Sequence, residues 1–320
     1  MDPRGRRVRV NLGGRLTHST TVQRARALLE REDLRRRPIR GLLRRVVWRL
    51  RWLLHPNAPW LLRTRNRVSL WAPKGGAGAL IYYQGATEPD TMEFFRRVLK
   101  PGMVFVDVGA HLGEYTVLAA TILGRSGYVH AFEPRPDIFE LLTRNIQLNH
   151  CRNVTVRPFA LWHENGWCEF EVTPEPSVSA IRSVAPIRRG AKIIKVRAVT
   201  LDDYFARIPT CRPDLIKIDV EGAELHVLRG ARSVLDRSAV EAPKLIVEYE
   251  PPNQARFGYS FTDVFAFLAG LGYNLYGWQR GRLVRVHKCG EDLVYVDASP
   301  VSPSNLIAAK VLPAVSSMPN

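Results

Sequence analysis

From Val68 onward, short runs rich in β-branched residues alternate with stretches of helical periodicity, the pattern of crossover units that build a parallel sheet. Residues 103–108 read as the first strand and 115–123 as the helix behind it. Residues 128–132 and 137–149 repeat the pair, and 154–156 with 159–160 supply a third strand. A β-rich insertion at 168–204 follows, with a polar loop at 173–190, before a fourth strand at 214–219, a helix at 224–235 and a fifth strand at 244–248. After a helix at 261–269 come three closely spaced β-like runs, 273–278, 283–286 and 293–296. The expected fold is α/β and doubly wound. It has a mostly parallel seven-stranded sheet, a C-terminal antiparallel hairpin and a β-rich insertion. The expected division is an arm over 1–67, a catalytic-sized domain over 68–298 and a tail over 299–320.

Charge divides the chain at the same place. Residues 1–67 hold 19 Arg and no Lys against 4 acidic residues, whereas the rest holds 28 basic and 26 acidic residues. A basic isoelectric point therefore describes the arm and says little about what the domain binds. Within the arm, residues 40–54 pattern as an amphipathic helix. Leu42, Leu43, Val46, Val47, Leu50, Leu53 and Leu54 share one face, and Arg44, Arg45, Arg49, Arg51, Trp48 and Trp52 share the other. Two readings compete: a stripe docked on the domain, or a helix lying on an anionic membrane surface. Residues before Arg40 lack such a pattern and are expected to be mobile. Cys151, Cys168, Cys211 and Cys289 are far apart with no C-x-x-C pair, which argues against a zinc site or disulfide framework. With no long apolar run and no signal-like N-terminus, the composition predicts a cytoplasmic protein, the arm being the part that could touch membrane.

The first strand runs into Asp107-Val108-Gly109-Ala110-His111-Leu112-Gly113. Glycines there let the backbone turn sharply and approach a ligand at a helix N-terminus. Glu133, at the end of the second strand, stands where a carboxylate can bind a ribose diol. A dinucleotide fingerprint needs glycine where His111 stands. The D-x-G-x-x-x-G form suits the adenosine and zwitterionic methionine of S-adenosylmethionine instead. A second cluster, Asp219-Val220-Glu221-Gly222-Ala223-Glu224, follows the fourth strand. Asp219 points into the same crevice and is the first candidate to orient the acceptor or the cofactor amine. Glu221 is the candidate for removing a hydroxyl proton, and Glu248, ending the fifth strand, is the third. Glu221 and Glu224 also have a structural explanation, because acids near a helix N-terminus are favoured by its dipole. Asp219 and Glu248 could bind magnesium, but with no third ligand evident no metal is expected. His226 is expected at the surface. The loop carrying Ser177, Ser179 and Arg182 is expected to act as a lid.

The segments VFVDVGAHLGEYTVLAA, VHAFEPRPDIFELLTRNIQLN, VTLDDYF and DLIKIDVEGAELHVLRGA, in that order, resemble the FkbM-type methyltransferase family. The resemblance covers about residues 81–250, and DLIKIDVEGAE is its most specific part. It implies a fold of the class I methyltransferase type and methyl transfer from S-adenosylmethionine, mostly to sugar or polyketide hydroxyls, so the expected reaction is O-methylation of a hydroxyl on a sugar, glycolipid or secondary metabolite. By the same resemblance Asp107, Gly109 and Gly113 line the methionine end, Glu133 holds the ribose, and Phe132 or Pro134 flanks the adenine. Ala160 meets the adenine edge. The family commonly has Asn where His111 stands, so His111 is expected to contact the cofactor by hydrogen bonding. The arm has no counterpart in it.

Two other functions compete with O-methylation of a small molecule or glycan. A nucleic-acid methyltransferase would use the arginine arm to grip phosphates, but no RNA-binding module or Asn-Pro-Pro-Tyr-type motif accompanies it. A catalytically silent scaffold would bind membrane or partner through the arm, which the intact Asp107, Glu133 and Asp219 oppose.

Overall fold

A computed structural model describes residues 38–279, 281–289, 294–296, 299–301 and 305–311. The segment expected to be mobile, before Arg40, lies almost wholly outside them. The chain divides into two compact units, Met1–Pro56 and Asn57–Asn320. In the first, the helix Pro38–Leu54 contains the expected amphipathic segment. It starts on a proline, whose missing N–H costs nothing at the first helical turn. One turn apart, Trp48 and Trp52 meet edge to face, with ring centroids 5.4 Å apart.

The second unit opens with a hairpin, β1 (Trp60–Arg63) and β2 (Ser69–Ala72), so it begins before Val68. Two asparagines on the helix Pro136–Leu148 and at its C-cap tie this hairpin down. The Asn145 side chain accepts from the Trp71 amide at 2.7 Å and donates to its carbonyl at 3.1 Å, and Asn149 treats Ser69 in the same way. Side-chain amides thereby complete a strand edge that has no neighbouring strand among the described residues. The helices Gly76–Gln84 and Pro89–Val98 lead into the main sheet.

The parallel strands are β3 (Val104–Val108), β4 (Tyr128–Phe132), β5 (Val154–Arg157), β10 (Leu215–Ile218) and β11 (Lys244–Glu248). Phe105, Val106, Ile216, Leu245 and Ile246 are completely buried, as expected of strands covered by helices on both faces. From β3 the chain winds outward through β4 to β5, then returns to lay β10 and β11 on the other side of β3. The switch in direction falls between β3 and β10, and the crevice beyond their carboxyl ends is where open α/β sheets bind ligands.

Three features of the sequence reading change. The expected third strand is two strands: β5 pairs with β4, whereas β6 (Phe159–Leu161) joins the insertion. Pro158, which has no N–H for a ladder, stands at the break. The insertion sheet is completed by β7 (Gly166–Val172), β8 (Ala180–Ile181) and β9 (Lys192–Val199), in the order β6-β9-β7-β8. Second, the three expected β-like runs form β12 (Asn274–Gln279), β13 (Arg282–Cys289) and β14 (Val294–Val296), and an unexpected β15 (Ser299–Val301) pairs with β14. Third, the segment expected as a tail holds β16 (Asn305–Ala309), which pairs antiparallel with both β11 and β12 and is buried at all five positions. The main sheet thus has ten strands among the described residues. A strand buried on both faces shows no alternation, so NLIAA carried no periodic signal.

Candidate active site

The switch-point crevice opens into a cavity of about 290 Å³. The loop after β3 forms its floor. The Gly109 and Ala110 amides both donate to the Phe132 carbonyl, at 3.0 and 2.9 Å. Gly109 has φ +82°, and a Cβ there would lie 1.9 Å from the Asp219 carbonyl oxygen. Only glycine allows the loops after β3 and β10 to close to that distance. Gly113 acts differently, since its φ is +85° and a Cβ there would strike Leu142 at 2.5 Å. It serves helix packing and does not line the cavity, contrary to the expectation that it meets the methionine end.

His111 also has a left-handed backbone, φ +48°, a conformation in which Asn and His are enriched. That accounts for the exchange of the family's usual Asn for His. Its amide donates to Glu133 Oε2 at 2.9 Å. Its Nε2 is buried with no protein partner, and burial lowers the ring pKa to about 4, so the ring is neutral at pH 7. Glu133 accepts at Oε1 from the Arg135 amide, at 2.9 Å. Burial raises its carboxyl to about 7. Phe132, Pro134 and Ala160 also line the cavity.

Across the crevice, Asp219 immediately follows β10 and receives the Lys217 ammonium on Oδ2. Glu221 stands in a left-handed turn, φ +57°. Its amide donates to Glu248 Oε2 at 3.1 Å, and its Oε2 accepts from Asn253 Nδ2 at 2.7 Å. Burial, then the Asp219 and Glu224 charges, raise the Glu221 carboxyl to about 8. Burial and the same kind of repulsion hold Glu248 well above the usual carboxylate range. Asp219, Glu221 and Glu248 each bring an oxygen within 4.8 Å of the others. Glu221 is therefore the third potential ligand that the sequence reading lacked. Carboxylates this close share protons or hold a cation. Glu224 does not join them: it accepts from the Val220 and Gly222 amides and from Gln254, fastening the turn from inside the core.

Ser177 and Ser179 reach the cavity from the insertion loop, but Arg182 pairs with Glu169 outside it, at 3.2 Å. Arg135 pins this loop by donating to the Thr173 carbonyl at 2.9 Å and to Ser179 Oγ at 2.8 Å. Glu175 ties it to the Gly76 amide at 3.0 Å. The His226 ring is half-buried and stacks on Trp162 with centroids 4.1 Å apart, where the sequence reading expected a surface residue.

The sequence reading missed Gly76, Ala77, Thr87, Glu88 and Lys217 as cavity residues. Nothing local marks the first four. Lys217 had a signal: a charged residue interrupting the apolar run of a buried strand.

These features meet in the match to known proteins. Residues 107–275 match the family described as the methyltransferase FkbM domain. The chain belongs to that family. Among curated relatives, the hexuronic acid methyltransferase AglP of Haloferax volcanii is 28% identical over 148 residues, covering 46% of this chain and 58% of the relative. Methyltransferase 1 of Beauveria bassiana is 28% identical over 142 residues, covering 39% and 57%. The chain thus spans under two thirds of either relative. Similar solved structures include precorrin-6y C5,15-methyltransferase of Geobacter metallireducens, with 17% identity, TM-score 0.38, and 69% of this chain and 86% of that one covered. A SAM-dependent O-methyltransferase of Thermotoga maritima has 14% identity and TM-score 0.36, covering 81% and 80%.

Membership of this family implies S-adenosylmethionine as the cofactor, and the cavity residues fit it. Gly109 leaves the loop no side chain where the backbones converge. The unpartnered His111 Nε2 calls for a ligand partner. The Glu133 carboxylate uses one hydrogen bond on each oxygen, so acceptor capacity remains for a diol. No helix among the described residues is long and apolar enough to cross a membrane.

Proposed function

We propose that the protein methylates a hydroxyl group of an uncharged, polyhydroxylated small molecule, a sugar or glycolipid headgroup above all. The observation that carries this reading is the acid cluster of Asp219, Glu221 and Glu248 facing the cavity. Carboxyl groups exchange hydrogen bonds with hydroxyls, and no arginine lines the cavity among the described residues to receive an anionic acceptor.

S-adenosylmethionine supplies a methyl carbon already activated by positive sulfur. The chain must then position the acceptor oxygen and take its proton. Glu221 is the proposed base. With a carboxyl raised to about 8, it binds the released proton more strongly than an ordinary glutamate would. Asn253 and the backbone link to Glu248 hold its position, and Glu248 faces the same acceptor region. Asp219 orients the amino end of the cofactor, Glu133 the ribose, and Phe132, Pro134 and Ala160 flank the adenine. The insertion loop with Ser177 and Ser179, held by Arg135 and Glu175, walls the acceptor side.

The name of AglP, a hexuronic acid methyltransferase, supports a sugar acceptor in class only, because a hexuronic acid carries the carboxylate that the proposed acceptor lacks. Comparing extracts of cells with and without the protein by mass spectrometry should reveal a glycan or glycolipid species heavier by one CH2. Resistance to mild alkali would identify it as an ether. An alkali-labile methyl ester would overturn the hydroxyl assignment, and a methylated nucleoside would favour a nucleic-acid substrate through the arm.

A further inference from the structure

The cavity wall is strongly asymmetric in its ionisable groups. Seven carboxyl groups line it, those of Glu88, Asp107, Glu114, Glu133, Asp219, Glu221 and Glu248, against the single ammonium of Lys217 among the described residues. Lys217 is 2% exposed and lies in the middle of β10, directly opposite Asp107 of β3 in the sheet register. Its Nζ hydrogen-bonds Asp219, lies 3.9 Å from Glu88 Oε2 and sits 4.5 Å from the centroid of the Tyr115 ring. Glu88 is itself fixed, accepting from Tyr115 OH at 2.8 Å and from Asn305 Nδ2 at 2.6 Å. Glu88, Tyr115 and Asp219 thus surround one ammonium, and Asn305 of β16 holds Glu88 in place.

A buried lysine in a parallel strand is costly, and a structural counter-ion alone would not need to face the cavity. The neighbouring acids hold its pKa above the ordinary lysine value, so it is a fixed cation and not a proton acceptor. The amino-acid end of S-adenosylmethionine carries a carboxylate, an ammonium and the sulfonium. In a wall of acids, its carboxylate needs a specific cation. We propose that the Lys217–Asp219 ion pair reads this zwitterion, Lys217 holding the cofactor's α-carboxylate and Asp219 its α-ammonium. The inference rests on the cofactor and not on the acceptor proposed above, so either can fail alone.

Calorimetry with the full chain tests it, using S-adenosylmethionine, decarboxylated S-adenosylmethionine and 5′-methylthioadenosine. The first two differ by the carboxylate alone, and the third lacks the amino-acid end. The wild-type protein should favour S-adenosylmethionine over the decarboxylated form by about tenfold or more, the range of a charged hydrogen bond. Lys217→Met should reduce that ratio to about twofold or less. Its affinity for 5′-methylthioadenosine should be unchanged, which also reports a folded cavity. Lys217→Arg should retain most of the preference. Equal wild-type affinities, or a preference that survives Lys217→Met, would place the carboxylate elsewhere. If Lys217→Met does not fold, the wild-type ratio decides: no preference overturns the assignment. Parallel losses for all three ligands would make Lys217 structural and overturn it as well.

Discussion

Seven carboxylates around one cavity cannot all be ionised at neutral pH without strong mutual repulsion, and their protonation is where individual residues control this protein. Glu221 and Glu133 are raised to about 8 and about 7. A carboxyl raised on folding contributes stability that is present below its unfolded pKa and lost as pH rises through the folded value. For Glu221 that window runs from the ordinary glutamate value of 4.5 to about 8. Glu221→Gln should therefore raise the melting temperature more at about pH 8.5 than at about pH 5, read by differential scanning calorimetry. An equal difference at both pH values would mean that Glu221 does not titrate in this window. If Glu221 is the base, kcat/KM should rise toward pH 8, and Glu221→Gln should remove that limb. Glu133→Ala should weaken S-adenosylmethionine binding by about 1–3 kcal/mol, and unchanged calorimetric affinity would remove Glu133 from the cofactor site.

Two elements show how much depends on backbone placement. Gly109 and Gly258 both have left-handed φ values, +82° and +78°, but a Cβ at Gly258 meets open space and one at Gly109 meets the Asp219 carbonyl. Gly258→Ala should cost only the conformational penalty, about 1–2 kcal/mol. Gly109→Ala should push the loops after β3 and β10 apart and abolish cofactor binding. Similar effects of the two substitutions on chemical denaturation and on binding would contradict the close approach. The second element is β16, whose Leu306, Ile307, Ala308 and Ala309 are at most 2% exposed. Ending the chain before Asn305 should leave β11 and β12 without their shared neighbour and produce insoluble protein. A soluble, cooperatively unfolding product would show that β16 is dispensable.

In the whole molecule, most of the excess charge and the cofactor chemistry occupy different units. Of the 19 arginines before Val68, 16 lie in Met1–Pro56, and the family match lies in Asn57–Asn320. A chain starting at Asn57 should fold and bind S-adenosylmethionine with unchanged affinity. If the helix Pro38–Leu54 is a lipid-surface device, the full chain alone should sediment with anionic vesicles and be released by salt. Aggregation of the shortened chain would instead mean that the Leu42–Leu54 stripe is covered by the domain. The sequence alone was enough for the parallel strands, the glycine turn and the acids at strand ends. Those depend on local periodicity, on residues that tolerate special backbone angles, and on the rule that carboxyl ends face one crevice. It also showed Asp219, Glu221 and Glu248 as separate carboxylates. Their convergence, the inclusion of Lys217 and Glu88, the split of the third strand at Pro158 and the central position of β16 were tertiary outcomes. Each depends on pairing or burial between segments far apart in the chain, and no local pattern encodes which distant strand fills a gap in a sheet.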